Sequence, residues 1–306
     1  MTQNATAFQG VLCVNKPQKF TSFDVIAKLR GMTRTRKLGH SGTLDPMATG
    51  VLPVFFGGAT KACDLVPITD KRYRAGVRFG QTTDTQDVWG TVLREDPRPV
   101  SRDALEDALR GFRGTIFQLP PMYSAVQING QRLYDLARKG MEVERTPREI
   151  TIHSLELLSY DEAAREAVLD VCCSKGTYIR TLCHDLGEVL GCGGIMTSLT
   201  RTEAAGFTLA DCRTLEEIQD LVDEGRLGEA LLPVESLFRG LPVIRLSPVQ
   251  SRMFENGVRL DLNRVRHQEV PGSHAVYGSD GAFLGLARCR TETAELVLEK
   301  LFIQRS

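Results

Sequence analysis

The chain has 306 residues, 42% of them hydrophobic and 25% charged, with a formal net charge of zero. Those values are ordinary for a globular protein of about two domains, and the net charge alone points to no nucleic-acid partner. No apolar run is long enough to span a bilayer and the N-terminus lacks a signal-peptide pattern, so a cytoplasmic setting without a membrane role is expected.

Val11-Leu12-Cys13-Val14 reads as a short buried strand, followed by Asn15-Lys16-Pro17. Ser22 reads as the cap of a helix through Gly31, with Phe23, Ile26 and Leu29 on one side. From Lys71 to Phe79 the pattern alternates: Tyr73, Ala75, Val77 and Phe79 face one way, and Arg72, Arg74, Gly76 and Arg78 the other, which predicts a strand. Ser101 caps a helix whose Leu105, Ala108, Leu109 and Phe112 form a core stripe. The two prolines in residues 118–125 exclude regular structure there. A strand from Val168 to Cys173 leads through Ser174-Lys175-Gly176 to a helix that starts near Thr177. Its buried stripe is Ile179, Leu182, Leu186 and Val189, and Gly191 stops it. Thr214 and Glu217 make a capping box for another helix.

Near Leu241 the texture changes. After a linker-like Phe238-Arg239-Gly240, Ser247-Pro248 opens a short helix ended by Gly257. Gly278-Ser279-Asp280-Gly281 then marks a hairpin between Ala275-Val276-Tyr277 and Phe283-Leu284. The expected division is residues 1–240 and a compact β-rich unit at 241–306. Strands mixed with helices and antiparallel hairpins give an α+β fold.

Charge is unevenly spread. Lys16, Lys19, Lys28, Arg30, Arg34, Arg36 and Lys37 face a lone Asp24 in the first forty residues, whereas residues 211–229 are acidic. A basic face balanced by a distant acidic helix suits a polyanion ligand. The eight cysteines have neither CxxC nor zinc-site spacing and read as small buried hydrophobes in a reduced compartment.

The most informative segment is residues 37–52, KLGHSGTLDPMATGVL. Gly39, Ser41, Gly42 and Thr43 precede Asp45, and Ala48, Thr49 and Gly50 follow it. Glycines allow close backbone approach, and Pro46 biases Asp45 towards an extended conformation. The apolar run from Val51 to Phe56 then returns to a core. The pattern is a conformationally fixed loop presenting one carboxylate.

This loop closely resembles the signature loop of the pseudouridine synthases of the B family, G-H-x-G-x-L-D-P-x-A-x-G-x-L. Gly39, His40, Gly42, Leu44, Asp45, Pro46, Ala48, Gly50 and Leu52 supply every fixed position. The resemblance implies isomerisation of uridine 55 in the T-arm of tRNA, with Asp45 the catalytic aspartate. It also implies the mixed-sheet pseudouridine synthase fold followed by a small RNA-binding β-barrel of the PUA kind. The string K-G-T-Y-I-R matches a second family element, in which Arg180 pairs with Asp45 and Tyr178 lies against the base. Lys71-Arg72-Tyr73 matches the K-x-Y element and makes Tyr73 a stacking platform for the flipped uracil.

By the same resemblance His40 helps occupy the hole left by the flipped base, and Leu199 forms an apolar wall. Lys16, in the family's K-P element, either braces the loop or touches phosphate. Tyr178 is a candidate base, although a phenol with a pKa near ~10 is a weak one unless perturbed. Two departures, Gln127 after Val126 and Thr200 before Arg201, each remove a positive charge from a region the resemblance places against RNA.

The chemistry breaks the bond between uracil N1 and ribose and rejoins the base through C5. Nothing is oxidised and nothing leaves, so no redox cofactor or metal is needed. The expected enzyme acts as a monomer on tRNA, without a protein partner. Two rival readings keep the fold: a guide-RNA-dependent synthase subunit and a tRNA-binding folding chaperone. A nucleotide-binding enzyme is excluded by the absence of a P-loop or dinucleotide fingerprint.

Overall fold

The computed structural model describes residues 8–266 and 270–303; the outermost residues of both expected domains, 1–7 and 304–306, lie outside the described residues, as do 267–269. The described elements in chain order begin with β1 (Gly10–Lys16), α1 (Ser22–Thr33), β2 (Leu38–His40), β3 (Thr49–Phe56) and β4 (Lys71–Phe79). They continue with β5 (Gln81–Thr83), β6 (Val92–Glu95), α2 (Arg102–Arg110), β7 (Gly114–Gln118), β8 (Gln127–Ile128), β9 (Gln131–Arg132) and α3 (Leu133–Ala137). Next come β10 (Arg148–Asp161), β11 (Glu166–Cys173), α4 (Ile179–Val189), β12 (Gly194–Ala204), β13 (Phe207–Thr208), α5 (Leu215–Asp223) and α6 (Leu227–Ala230). The C-terminal elements are β14 (Val243–Arg245), α7 (Pro248–Glu255), β15 (Leu260–Asp261), β16 (Gly272–Tyr277), β17 (Phe283–Arg290) and β18 (Glu295–Leu301).

The main sheet has nine strands in the order β1-β3-β12-β4-β11-β10-β7, with β2 added to β3 and β13 to β12. Its pairs are antiparallel except β12 with β3, which run parallel through Thr200–Thr49 and Arg201–Gly50. The sheet is therefore mixed, as expected. That one parallel pair brings the exit of the Asp45 loop against Leu199, Thr200 and Arg201. Gly50 has φ +103°, and a Cβ there would collide with the Arg201 carbonyl, so only glycine permits this approach.

The runs Val11–Val14 and Val51–Phe56 lack alternation because both faces of β1 and β3 are buried. Leu12, Val14, Leu52, Val54 and Phe56 pack under α1 and α5, while Val11, Cys13, Val51 and Phe55 join a second core. A third core lies between β4, β11 and the helices α2 and α4, with Tyr73, Ala75, Val77 and Phe79 on its face as the alternation predicts.

Several local expectations are corrected. The cap of α1 is Thr21, whose hydroxyl accepts from the Asp24 N–H at 3.0 Å, and Ser22 is buried inside the first turn. Phe23 is 66% exposed, because the buried face of α1 runs through Val25, Ile26 and Leu29. Val189, expected in the buried stripe of α4, is likewise 66% exposed at the helix end. The acidic helix α5 is not distant from the basic one: Leu215 and Ile218 pack against Ile26 and Leu29 of α1. Asp223 and Gln219 share a groove with Lys28 and Arg34.

The five C-terminal strands form a curled sheet in the order β14-β16-β17-β18-β15, with the expected hairpin between β16 and β17. Its attachment is not linker-like. Phe238 is buried and stacks on Phe283 at 5.9 Å, while Phe302 lies 5.6 Å from Phe238 and 5.8 Å from Phe283. Leu286 and Phe302 share one core with Val11, Phe55 and Ala204 of the main sheet. The aromatic cluster closes the junction that the sequence Phe-Arg-Gly suggested was loose.

Candidate active site

Asp45 lies on the loop between β2 and β3, and the loop is held from several sides. Ala48 N–H donates to the Asp45 carbonyl at 3.0 Å, closing a turn with Pro46 at its second position. Leu44, Met47 and Ala48, flanking Asp45, are buried in the core that contains β4. The Leu44 N–H donates to the Ser22 hydroxyl at 2.9 Å, so the serine first read as a helix cap instead anchors the residue before Asp45. Lys19 N–H donates to the Pro46 carbonyl at 2.7 Å. Arg201, with no solvent exposure, donates from Nε to the Val51 carbonyl at 2.8 Å and from its Nη2 to the Gly42 carbonyl at 3.2 Å. One side chain thus ties both arms of the loop.

The carboxylate that remains is 40% exposed, and its Oδ2 sits 2.9 Å from Arg180 Nε. Arg180 stands in the first turn of α4, where a cation opposes the helix dipole, and it is almost wholly buried. Its partners offset both costs. It donates from Nη1 to the Thr85 carbonyl at 3.1 Å and from Nη2 to the Tyr123 carbonyl at 2.9 Å. A second carboxylate, Asp87, lies 3.8 Å away. Asp87 is itself oriented by the Thr85 hydroxyl at 2.7 Å and the Trp89 N–H at 3.0 Å. Two acids therefore share one guanidinium.

Tyr73 is buried on β4, in register with Arg201 of β12 and Val171 of β11. Burial raises its phenol above the usual range; the adjacent Arg201 guanidinium pulls it down, and Asp45 is near enough to push it up. Leu199 is buried on β12, opposite Ala75. Tyr178 is half-buried at the cap of α4, with its backbone clamped at both ends by the buried Gln118 amide. Gln118 Nε2 donates to the Tyr178 carbonyl at 3.0 Å, and Tyr178 N–H donates to Gln118 Oε1 at 2.7 Å.

His40 is half-buried on β2; burial, then the charge of Arg201, lowers its imidazole below the usual value. Lys16 has no exposed surface, and its ammonium donates to the Pro17 carbonyl at 2.9 Å and the Phe20 carbonyl at 2.5 Å. Both bonds stay within residues 16–20, and the ammonium is turned inward rather than to the surface. Burial pushes its pKa down to about 8, against the pull of Asp45. Lys71 is lowered by burial and then by Arg201. Lys16, Lys71 and Arg201 make a cationic floor beneath the loop.

The structure thus gathers Asp45, Arg180, Tyr73, Lys16 and Arg201 into one electrostatic neighbourhood. Thr200 is partly buried and pairs with the Thr49 hydroxyl at 3.0 Å across the parallel strands. Sequence reasoning missed Ser22 as an anchor, Asp87 and Gln118. Asp87 ends the polar stretch Thr82–Asp87 ahead of Gly90, which carries no period, and Gln118 stands just before two prolines; neither position signals a partner far along the chain. Among the described residues no group of three or more His, Cys, Asp and Glu side chains is placed to hold a metal. One half-exposed carboxylate on a fixed loop, bonded to a buried guanidinium and near a buried phenol, suits attack on, or stabilisation of, an electron-poor carbon.

Residues 30–179 match the family described as TruB family pseudouridylate synthase (N terminal domain), and residues 180–239 match the tRNA pseudouridylate synthase B C-terminal domain. The tRNA pseudouridine synthase B of Clostridium perfringens is 42% identical over 298 residues, covering 96% of this chain and 99% of that protein. That of Bacillus licheniformis is 40% identical over 316 residues, covering 98% and 99%. Among solved structures, a Cbf5-Nop10-Gar1 complex matches with a TM-score of 0.76 at 24% identity, over 96% of this chain and 85% of that one. This last likeness is one of fold.

Proposed function

The chain belongs to the TruB family of pseudouridylate synthases, and from that membership we propose that it converts uridine 55 in the T-arm of tRNA to pseudouridine, with Asp45 as its nucleophile. Pseudouridylation of tRNA is the activity its curated relatives are named for. The net change breaks the N1–C1′ bond, forms a C5–C1′ bond, and moves one proton from C5 to N1. The target base sits inside a folded loop, so it must leave its stack to be reached.

In this reading the Asp45 carboxylate addresses the ribose side of the extruded nucleotide while Arg180 holds its other lone pairs. Tyr73 stacks on the uracil, Leu199 and Tyr178 line the base, and His40 fills the gap left in the RNA. Lys16 supports the loop from within. The exposed cations of residues 28–37 and the unit at 241–306 grip the phosphate backbone, residues 1–240 carry the chemistry, and no protein partner is required. An internal isomerisation of this kind calls for no cofactor.

The observation that supports this most is the 2.9 Å contact of Arg180 with the carboxylate on the signature loop. The test is to map pseudouridine in a tRNA transcript incubated with the wild-type protein and with Asp45→Asn. Product at position 55 is expected with the wild type, and none with the variant despite retained tRNA binding. Product elsewhere refutes the position, and single-turnover product from Asp45→Asn refutes the nucleophile.

A further inference from the structure

Trp89 is the single tryptophan of the chain, and it is 51% exposed. Val88, Val92 and Leu93 beside it are exposed as well. An indole left half in water carries a large apolar surface that folding did not use.

The segment that bears it is rigid. The Thr83 hydroxyl donates to the Asp87 carbonyl at 2.7 Å, Gly90 N–H donates to the same carbonyl at 3.2 Å, and Thr91 N–H donates to Asp84 Oδ1 at 2.7 Å. Val88 N–H donates to the Met196 carbonyl at 3.0 Å and Met196 N–H to the Gln86 carbonyl at 3.1 Å, which docks the turn onto β12. A Cβ at Gly90 would collide with Thr85 and Asp84. The Trp89 backbone is bonded to Asp87, Asp87 faces Arg180, and Arg180 holds Asp45. The exposed ring therefore stands on a fixed mount continuous with the reaction centre.

Resting on the tRNA reading above, we propose that Trp89 is a stacking platform for a T-arm nucleobase next to the flipped uridine. A base flipped out of its loop leaves neighbours unstacked, and an exposed aromatic ring on the segment that supplies two of the Arg180 partners recovers that lost stacking without reading sequence. Even taken together, the exposed parts of Trp89, Val88, Val92 and Leu93 fall far short of the ~800 Å² per partner of a stable protein interface, which favours a base over a protein. No residue already assigned to the chemistry is involved.

Because position 89 holds the only tryptophan, intrinsic tryptophan fluorescence reports on it alone. The full-length protein is titrated with tRNA transcript, while filter binding measures occupancy independently. The expected result is a saturable change in emission that follows occupancy. Trp89→Leu, which keeps an apolar side chain but no ring, should bind about 5- to 100-fold more weakly, and Trp89→Phe should recover most of the affinity. Circular dichroism confirms that each variant folds.

Emission that stays constant at full occupancy, or Trp89→Leu binding as tightly as wild type, overturns the platform. So does an emission change that follows protein concentration without RNA, which would mark a contact between copies. Pseudouridine formation by the wild type on the same tRNA separates the two levels. Product with a silent Trp89 refutes only the platform, whereas a wild type that neither binds nor modifies tRNA refutes both.

Discussion

Ser22→Ala distinguishes a helix cap from a loop anchor. The variant removes the acceptor of the Leu44 N–H, a 2.9 Å bond inside the protein, and leaves that donor unpaired. An orphaned buried donor costs about 1–3 kcal/mol. The turn 45–48 and the Arg180 contact hold the far side of Asp45, so the loop relaxes at Leu44 while the fold persists. A displacement of about 1 Å at a reacting group is enough for a loss of roughly 100-fold in rate.

The control is Thr21→Ala, which deletes the capping box at the same helix end. It should cost about 1 kcal/mol of stability and leave the bound rate unchanged. Stability would be read from denaturant unfolding and the rate from single turnover at saturating enzyme. Equal rates for the two variants, or a Thr21→Ala defect as large as that of Ser22→Ala, would refute the anchoring argument.

Arg180→Lys keeps a charge but loses the fork that reaches Asp45, Thr85 and Tyr123 together; the expected outcome is a rate lower by about 100-fold or more with tRNA affinity nearly unchanged, and collapsed affinity with a normal bound rate would make it a phosphate contact instead. Lys16 has its pKa lowered in the fold to about 8 from 10.5, so the unfolded chain binds the extra proton between those values and stability rises with pH across that window. Relative to Lys16→Met, the wild type should gain about 3 kcal/mol between pH 8 and 10.5, and a pH-independent difference in denaturation midpoints contradicts the burial of its charge. Phe238→Ala should cost about 3–5 kcal/mol and open the aromatic junction to limited proteolysis near residue 240; unchanged stability and cleavage would return the junction to a linker.

Elements whose signal is local were legible in the sequence. Alternation from Lys71 to Phe79 gave β4 and the inward face of Tyr73, and the Thr214–Glu217 pair gave the start of α5. The pairing of Asp45 with Arg180 followed from two motifs taken together. What remained hidden depends on partners far along the chain. Ser22 has the composition of a cap, and only the arrival of Leu44 from 22 positions later changes its use. Arg201 follows Thr200 in a stretch the resemblance placed against RNA, yet two carbonyls and a phenol draw it wholly inside. Phe238 stands before Arg239-Gly240 like a hinge residue, and the two rings that cover it lie in the last third of the chain.

Arg180 also sets a clock. It draws on carbonyls 57 and 95 positions upstream, and on Asp45 further upstream still. A chain made N-terminus first at about 5–20 residues per second exposes the signature loop on the order of ten seconds before its guanidinium exists. Through that interval the nascent protein carries Asp45 and Tyr73 without the guanidinium that bonds the acid. A fragment that stalls before α4 therefore lacks this ion pair, and the complete arrangement forms only when β3, the turn at 84–90, the segment around Tyr123 and α4 have all met.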